Sequence, residues 1–260
     1  IELHLKKGSK RYFVTKKGGD YLKDKDLVLK LADAEICISN NWGLPNMEIF
    51  KGIMKYAIVS GGGGGIGKSI CNELSKNGYA VAVLDLNMED SQRTAKKLDN
   101  ATAYAVDVRD EDSVRRFYKD FGKAPDLIVN NAGIARFDKL LNQKVTDFED
   151  VVKTNLIGSF ILATEGVRLM IAEGINGCVI NITSIHSVSP GIGVGAYSPA
   201  KAGLASLTKL MALEWGEFGI RVNAIAPGFI DSGISKPFFE NPKIRELRGK
   251  AVPLQRLGTA

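Results

Sequence analysis

Tyr197 and Lys201 stand four residues apart in the run YSPAK, so on a helix they share one face. A Tyr hydroxyl titrates near 10, and exchanging protons near neutrality calls for roughly three units less, about 4 kcal/mol in favour of the phenolate. An ammonium beside the ring supplies part of that. Thirteen residues upstream, at the end of the run GCVINIT, Ser184 can reach the same place and hydrogen-bond a substrate oxygen. A Tyr-Lys pair alone is also what an ordinary amphipathic helix shows. With the upstream Ser and the two features below it reads as a proton-transfer site.

The first of these is SGGGGGIGKS at 60–69, which follows an apolar run and opens a helical pattern. Glycines let the backbone approach an anion, and a helix N-terminus offers free N–H groups and a positive dipole end. The run satisfies two phosphate-binding patterns at once: Gly62, Gly64 and Gly67 fit GxGxxG, and Gly62 to Ser69 fit the nucleotide-triphosphate loop GxxxxGK[ST]. The second is Asp85, at the end of AVAVLDL and twenty residues after Gly65. A carboxylate there accepts hydrogen bonds from adenosine ribose hydroxyls and repels a 2′-phosphate. No Arg or Lys lies between Gly61 and Gly67 to welcome that phosphate, which favours NAD over NADP. In a triphosphate site the same Asp85 would be a magnesium ligand, so the loop and Asp85 leave both readings open.

These residues need a scaffold, and the chain supplies one beyond residue 54. Strands are predicted at Lys55–Ser60, Ala80–Asp85, Ala101–Asp107, Asp126–Asn130, Gly177–Thr183 and Gly219–Ala226, with helices near 66–77, 88–98, 111–121, 145–173 and 198–217. Runs such as AVAVL and DLIVN are apolar throughout, as expected when helices cover both faces of a sheet. Alternating strands and helices imply a parallel, doubly wound α/β sheet, Rossmann-like, with right-handed crossovers. Residues 1–53 carry short β-like pieces (IELHL, RYFVT, EICIS) between glycine turns and no chemical motif, and they read as a small β-rich appendage. Met54 precedes the first strand, where a self-sufficient domain can begin.

Composition narrows the class. Apolar residues make up 45% and charged residues 25% of 260, which excludes wholesale disorder and a coiled coil. No uninterrupted apolar run reaches the roughly 20 residues of a membrane span. Cys37, Cys71 and Cys178 are widely spaced and odd in number, as buried free thiols of a reducing compartment would be, which points to the cytoplasm. With His4 and His186 the only histidines, no metal site is expected. The net charge of +6, from 35 basic and 29 acidic residues, is spread along the chain and does not suggest nucleic acid.

From about Met54 onward the chain resembles the short-chain dehydrogenase/reductase family. The likeness rests on the Gly61, Gly65, Gly67 spacing GxxxGIG, Asp107-Val108, NNAG at 130–133, KTNLIGSF at 153–160, Ser184, YSPAK and PGFIDS at 227–232, in the family's order. It implies NAD-dependent hydride transfer between a secondary alcohol and a ketone, with a sugar, polyol or 3-oxoacyl substrate. By resemblance Ser184, Tyr197, Lys201 and Asn155 are catalytic, Asn155 supporting a proton relay behind Lys201, and oxidised nicotinamide helps Lys201 lower the Tyr197 pKa. The cofactor would lie on Gly61, Gly65, Ile66, Gly67 and Asp85. Asp107 and Val108 would hold the adenine, while Asn130, Asn131, Ala132 and Gly133 form the neighbouring strand end. Pro227, Gly228, Ile230 and Ser232 would line the nicotinamide, and Tyr197 and Lys201 the ribose. Ser60 and Ser232 stand where the family commonly has Thr.

The resemblance also implies a homotetramer or dimer, and a chain that continues past VPLQRLGTA through a further helix and strand, without which the sheet keeps an open edge. SIHSVSP is similar to the stretch found in glucose-type sugar dehydrogenases, which makes His186 a candidate substrate contact or a plain loop residue. Residues 231–248 would close over substrate. The competing readings are a triphosphate hydrolase and a catalytically silent NAD sensor on the same fold; the intact Ser, Tyr and Lys set speaks against the sensor.

Overall fold

The computed structural model describes residues 54–260, and the β-rich reading of residues 1–53, with His4 and Cys37, lies outside the described residues. Six strands, β1 (Lys55–Ser60), β2 (Tyr79–Asp85), β3 (Ala101–Ala105), β4 (Leu127–Asn130), β5 (Cys178–Ile182) and β6 (Arg221–Ile225), form one parallel sheet in the order β3-β2-β1-β4-β5-β6. The chain turns back at the β1–β4 junction, where Ala57, Ile58 and Val59 pair with Val81, Ala82 and Val83 on one side and Leu127, Ile128 and Val129 on the other. In such sheets the crevice beyond the strand ends at the reversal is where ligands bind.

Both faces of the sheet are covered, which explains why its strands are apolar throughout. Ile58, Leu84 and Ile128 point into one core with Phe117 and Tyr118 of α3 (Glu111–Phe121) and Leu162 and Met170 of α5 (Gly158–Ala172). Ala57, Val59, Val83 and Val129 point into the other, against Cys71 of α1 (Gly65–Lys76) and Ala95 of α2 (Met88–Ala95). The helix predicted at 145–173 is observed as Val145–Ala172 and is long and apolar enough, by length and composition, to cross a membrane. Its apolar residues Leu162, Ala163, Val167 and Met170 are instead buried on the sheet. It is interrupted: α4 (Val145–Val152) passes into α5 through a π turn, Lys153–Ile157, in which the Gly158 amide reaches back to the Lys153 carbonyl.

α6 (Tyr197–Trp215) crosses the end of β5, and two short helices, α7 (Lys236–Phe239) and α8 (Pro242–Lys250), follow β6 within the segment expected to close over substrate. β6 forms one edge of the sheet, with Ile225 53% exposed. Gly258 meets the segment that follows this strand, donating to the Phe229 carbonyl and accepting from the Asp231 amide. Under the sheet end runs a buried polar chain, in which Asn130 Nδ2 donates to Asn181 Oδ1 at 2.8 Å and Asn181 Nδ2 to Thr208 Oγ1 at 2.9 Å. Thr208→Val keeps the shape but strips the Asn181 amide of its oxygen partner. A buried donor without one costs roughly 1–3 kcal/mol, so urea unfolding should show a loss in that range.

Candidate active site

The site begins where β1 and β4 end. Ser60, 2% exposed, accepts the Asn131 and Ala132 amides on its hydroxyl at 3.1 Å each, and Asn131 Nδ2 donates to the Ser60 and Gly61 carbonyls at 3.0 Å each. The glycine loop and NNAG are thereby fixed to one another. Gly61 sits at φ +62°, and a Cβ on Gly67 would lie 2.1 Å from the Gly61 carbonyl oxygen, so the turn admits no side chain at either place. Gly62 is packed beneath, under Val83 and Cys71. Lys68 is exposed, and neither it nor Ser69 lines the cavity above the loop, which removes the groups a triphosphate site would use.

That cavity, about 920 Å³, runs from Asp85 to Tyr197. It is lined by Gly61, Gly65, Ile66, Asp85, Asp107, Val108, Asn131, Ala132 and Gly133, and further along by Ser184, Tyr197, Lys201, Pro227, Gly228, Ile230 and Ser232. Gly67 and Asn155 stand behind its wall. Asp85 Oδ2 accepts the Gly63 amide at 3.0 Å, so the carboxylate is held across the loop with lone pairs to spare. An elongated cleft with a glycine cradle, a helix N-terminus and an acidic strand end fits a dinucleotide.

Asp107 is more heavily engaged than its sequence motif suggests. Arg109 grips its carboxylate with Nε at 2.9 Å and a terminal nitrogen at 2.8 Å, and reaches Asp150 of α4 at 2.9 Å. The guanidinium holds the Asp107 carboxyl below its usual range, and Asp107 in turn raises the Arg109 pKa. Arg109 and Asp150 both line the cavity, yet neither carries a motif signal, because they meet across 41 residues. Asp90, whose Cβ crowds Gly63 beside Asp85, and Arg93, which pairs with Asp90 one helical turn on, also line the cavity.

At the other end, Ser184 accepts the His186 amide on Oγ at 3.1 Å, which orients its hydroxyl. Lys201 is 3% exposed and donates to the Ile182 carbonyl at 2.7 Å, with Nζ 5.8 Å from the centre of the Tyr197 ring. Asn155, in the π turn, clips Ile134 twice, accepting its amide at 2.8 Å and donating to its carbonyl at 2.9 Å. Gly133 lies between: a Cβ there would sit 3.2 Å from Asn155 Oδ1 and 3.6 Å from Lys201 Nζ. Gln143, unmarked in the sequence, accepts the Ala196 amide at 2.8 Å and so fixes the start of α6.

The protein's own groups do not by themselves lower the Tyr197 pKa. Burial raises the Tyr197 phenol, and the hydrogen bond with Ser184 pulls it only partly back. Lys201 directs one of its three N–H groups to the Ile182 carbonyl, and burial lowers its own pKa to about 8.

The model of the family described as short chain dehydrogenase matches residues 55–243. The chain belongs to the short chain dehydrogenase family. This short chain dehydrogenase is 35% identical over 216 residues to a 3-oxoacyl-(acyl-carrier-protein) reductase of Chlamydia muridarum, covering 80% of this chain and 86% of that one. Among solved structures it is similar to ElxO with NADP bound, at TM-score 0.72 and 31% identity over 80% of this chain and 87% of that one. It is likewise similar to 4-hydroxyisoleucine dehydrogenase complexed with NADH, at TM-score 0.74 and 27% identity over 79% and 86%. It is thus an oxidoreductase of the dehydrogenase and ketoreductase kind.

Burying Lys201 has a measurable consequence. Its pKa falls from 10.5 to about 8, so the native state binds fewer protons than the unfolded chain between those values, and stability rises with pH there. The displacement corresponds to roughly 3 kcal/mol of cost at neutral pH, of which losing the Ile182 hydrogen bond would return about 1–2 kcal/mol. Lys201→Met should therefore be the more stable protein at pH 7 by about 1–2 kcal/mol. That advantage should disappear as pH climbs from about 8 towards 10.5, which denaturant curves across the range would reveal.

Proposed function

We propose that this short chain dehydrogenase transfers hydride between a secondary alcohol and a ketone, with NAD as its preferred cofactor. The observation that carries the reading is that Ser184, Tyr197 and Lys201 line the same cavity as the glycine loop and Asp85. When bound, NAD supplies the hydride acceptor at nicotinamide C4, and its positive ring charge favours a nearby phenolate. Tyr197 takes the proton from the alcohol oxygen, or returns it to the ketone oxygen in reduction. Ser184, its hydroxyl fixed by the His186 amide, hydrogen-bonds the same oxygen. Lys201 holds the ribose and faces the Tyr197 ring from behind. Its ammonium, 5.8 Å from the ring centre, would favour the phenolate together with the nicotinamide charge when the cofactor is bound. Asn155 acts through Ile134, fixing the wall that leads to Lys201.

The cofactor preference is supported by two carboxylates, Asp85 and Asp90, beside Gly63, where a 2′-phosphate would meet like charge. Arg93, which lines the cavity beside them, is paired with Asp90. Asp107 and Val108 take the adenine, with Arg109 keeping Asp107 ionised. Exposed apolar side chains on α5 and α6, among them Phe160, Leu210 and Leu213, support assembly as a homotetramer or dimer. Cys71 and Cys178, both free, buried and with raised pKa values, suit a reducing cytoplasm.

Tyr197→Phe keeps the packing and removes the titrating hydroxyl, so turnover should fall by at least a thousandfold while the NAD dissociation constant stays within about threefold. Turnover within about tenfold of the parent would remove Tyr197 from this role. Steady-state rates with the two cofactors should favour NAD by at least tenfold, about 1.4 kcal/mol, and Asp85→Ala should narrow that ratio. A parent protein that prefers NADP would overturn the assignment of Asp85.

A further inference from the structure

Past Tyr197 the cavity changes character. Phe137 meets the Tyr197 ring edge-on at 5.8 Å between centroids, and Phe238 of α7 packs on Phe137 at 5.2 Å. Both phenyl rings remain more than two-fifths exposed while lining the cleft. Beyond them the cavity meets a second recess of about 540 Å³, the two sharing His186, Ile192 and Gly193 as a common wall. Leu140, Leu141, Pro190, Pro199 and Ala202 form the apolar part of that recess. Leu141 and Ile192 are almost wholly exposed, which leaves apolar surface facing water at the recess and at the wall it shares with the main cavity.

Most polar side chains on this path are engaged within the wall, and the charged pair Asp138 and Lys139 stands at the recess. The Ser187 hydroxyl donates to the Ser184 carbonyl at 2.6 Å, and the Ser198 hydroxyl to the His186 carbonyl at 2.5 Å. His186 Nδ1 donates to the Ser189 carbonyl at 2.9 Å, and Asp138 accepts the Lys139 amide at 2.7 Å. A polyol moving in here would find charged partners only at Asp138 and Lys139, whereas a hydrocarbon chain would cover Leu141 and Ile192.

We infer that the recess beside Ile192 is a subsite for an apolar chain attached to the reacting carbonyl, so that the enzyme acts on long-chain oxo compounds and not on sugars or polyols. The inference rests on the hydride-transfer reading above for its reacting end only; the subsite itself is a binding feature. His186, its Nδ1 tied to the Ser189 carbonyl, is then part of the wall between the two cavities.

The test uses the full chain with NADH and a series of methyl 3-oxoalkanoates from four carbons upward. Each added methylene should raise kcat/KM about fourfold over the first three or four additions, the increment expected for burying one methylene. Leu141→Ser should cut the ratio between long and short esters at least fivefold, and glucose and sorbitol should give no reduction of NAD. A flat chain-length series, or polyol turnover above that of the esters, would overturn the subsite. So would an unchanged ratio in Leu141→Ser accompanied by a change of oligomeric state in light scattering, since the patch would then belong to a second copy. A binding arm separates this from the proposed reaction. In Tyr197→Phe, calorimetry should show methyl 3-hydroxydecanoate binding at least tenfold tighter than methyl 3-hydroxybutyrate whether or not the parent turns over. Equal affinities would sink the subsite even if hydride transfer is observed.

Discussion

Two strand ends at the middle of the sheet are tied together through Ser60 and Asn131, and the cavity exists because of that tie. β1 and β4 run side by side but their connections leave in opposite directions, so a cleft opens where they part. A cleft of bare loops would drift. Here one buried hydroxyl accepts two amides and one side-chain amide donates to two carbonyls, which fixes the glycine loop against NNAG. Everything further out is referenced to that junction: Gly67 closes on Gly61, Gly65 meets Gly233 from the segment after β6, and Gly133 makes room between Asn155 and Lys201. The Ser60 substitution for a commoner Thr is tolerated for a simple reason. The hydroxyl carries the interaction, and a methyl group would add only packing.

The wall opposite the junction is built by different means. Arg109 links Asp107 at the end of the β3 segment to Asp150 in the last turn of α4, so the two carboxylates are bridged by one planar cation. Such forked pairs combine geometry with charge, and a partly buried one holds its members better than a surface pair does. Arg136, within 4.0 Å of Asp147 and 3.9 Å of Asp150, extends the chain of charges to the residue before Phe137. The two ends of the cleft thus share a rim held by α4.

Local signals were readable in the sequence and long-range pairings were not. α3 is found at the residues predicted for it because Asp110 caps its N-terminus and Gly122, at φ +63°, ends it, both written in the chain. α2 stops three residues earlier than predicted, at Ala95, and β3 ends at Ala105 because Asp107 turns outward to meet Arg109. Tyr197, Lys201 and the glycines were legible as spacing, since a short motif on one element fixes its own geometry, and Ser184 was legible from its place at the end of a predicted strand. Nothing in the spacing could announce Arg109 with Asp150, Asp90 beside Asp85, Gln143 at the start of α6, or Phe137 against Phe238. Each pair is made by the fold. The Tyr197 pKa belongs to the same class: residue types suggested a lowering, while burial, a property of the folded whole, raises it.

The π turn at Lys153–Ile157 changes how the helix can be altered. One residue more than an α turn is accommodated there, so α4 and α5 are out of phase by about 100° compared with a continuous helix. Asn155 sits inside the widened turn, with its carbonyl accepting the Ser159 hydroxyl and its side chain aimed at Ile134. Removing one residue from this stretch would let the helix close into regular α geometry at little cost to its own hydrogen bonding. Everything N-terminal to the deletion would then rotate relative to the sheet, carrying Asp150 away from Arg109 and Asn155 away from Ile134. The widened turn is therefore a phase-setting joint, at which helix length and site geometry cannot be varied independently.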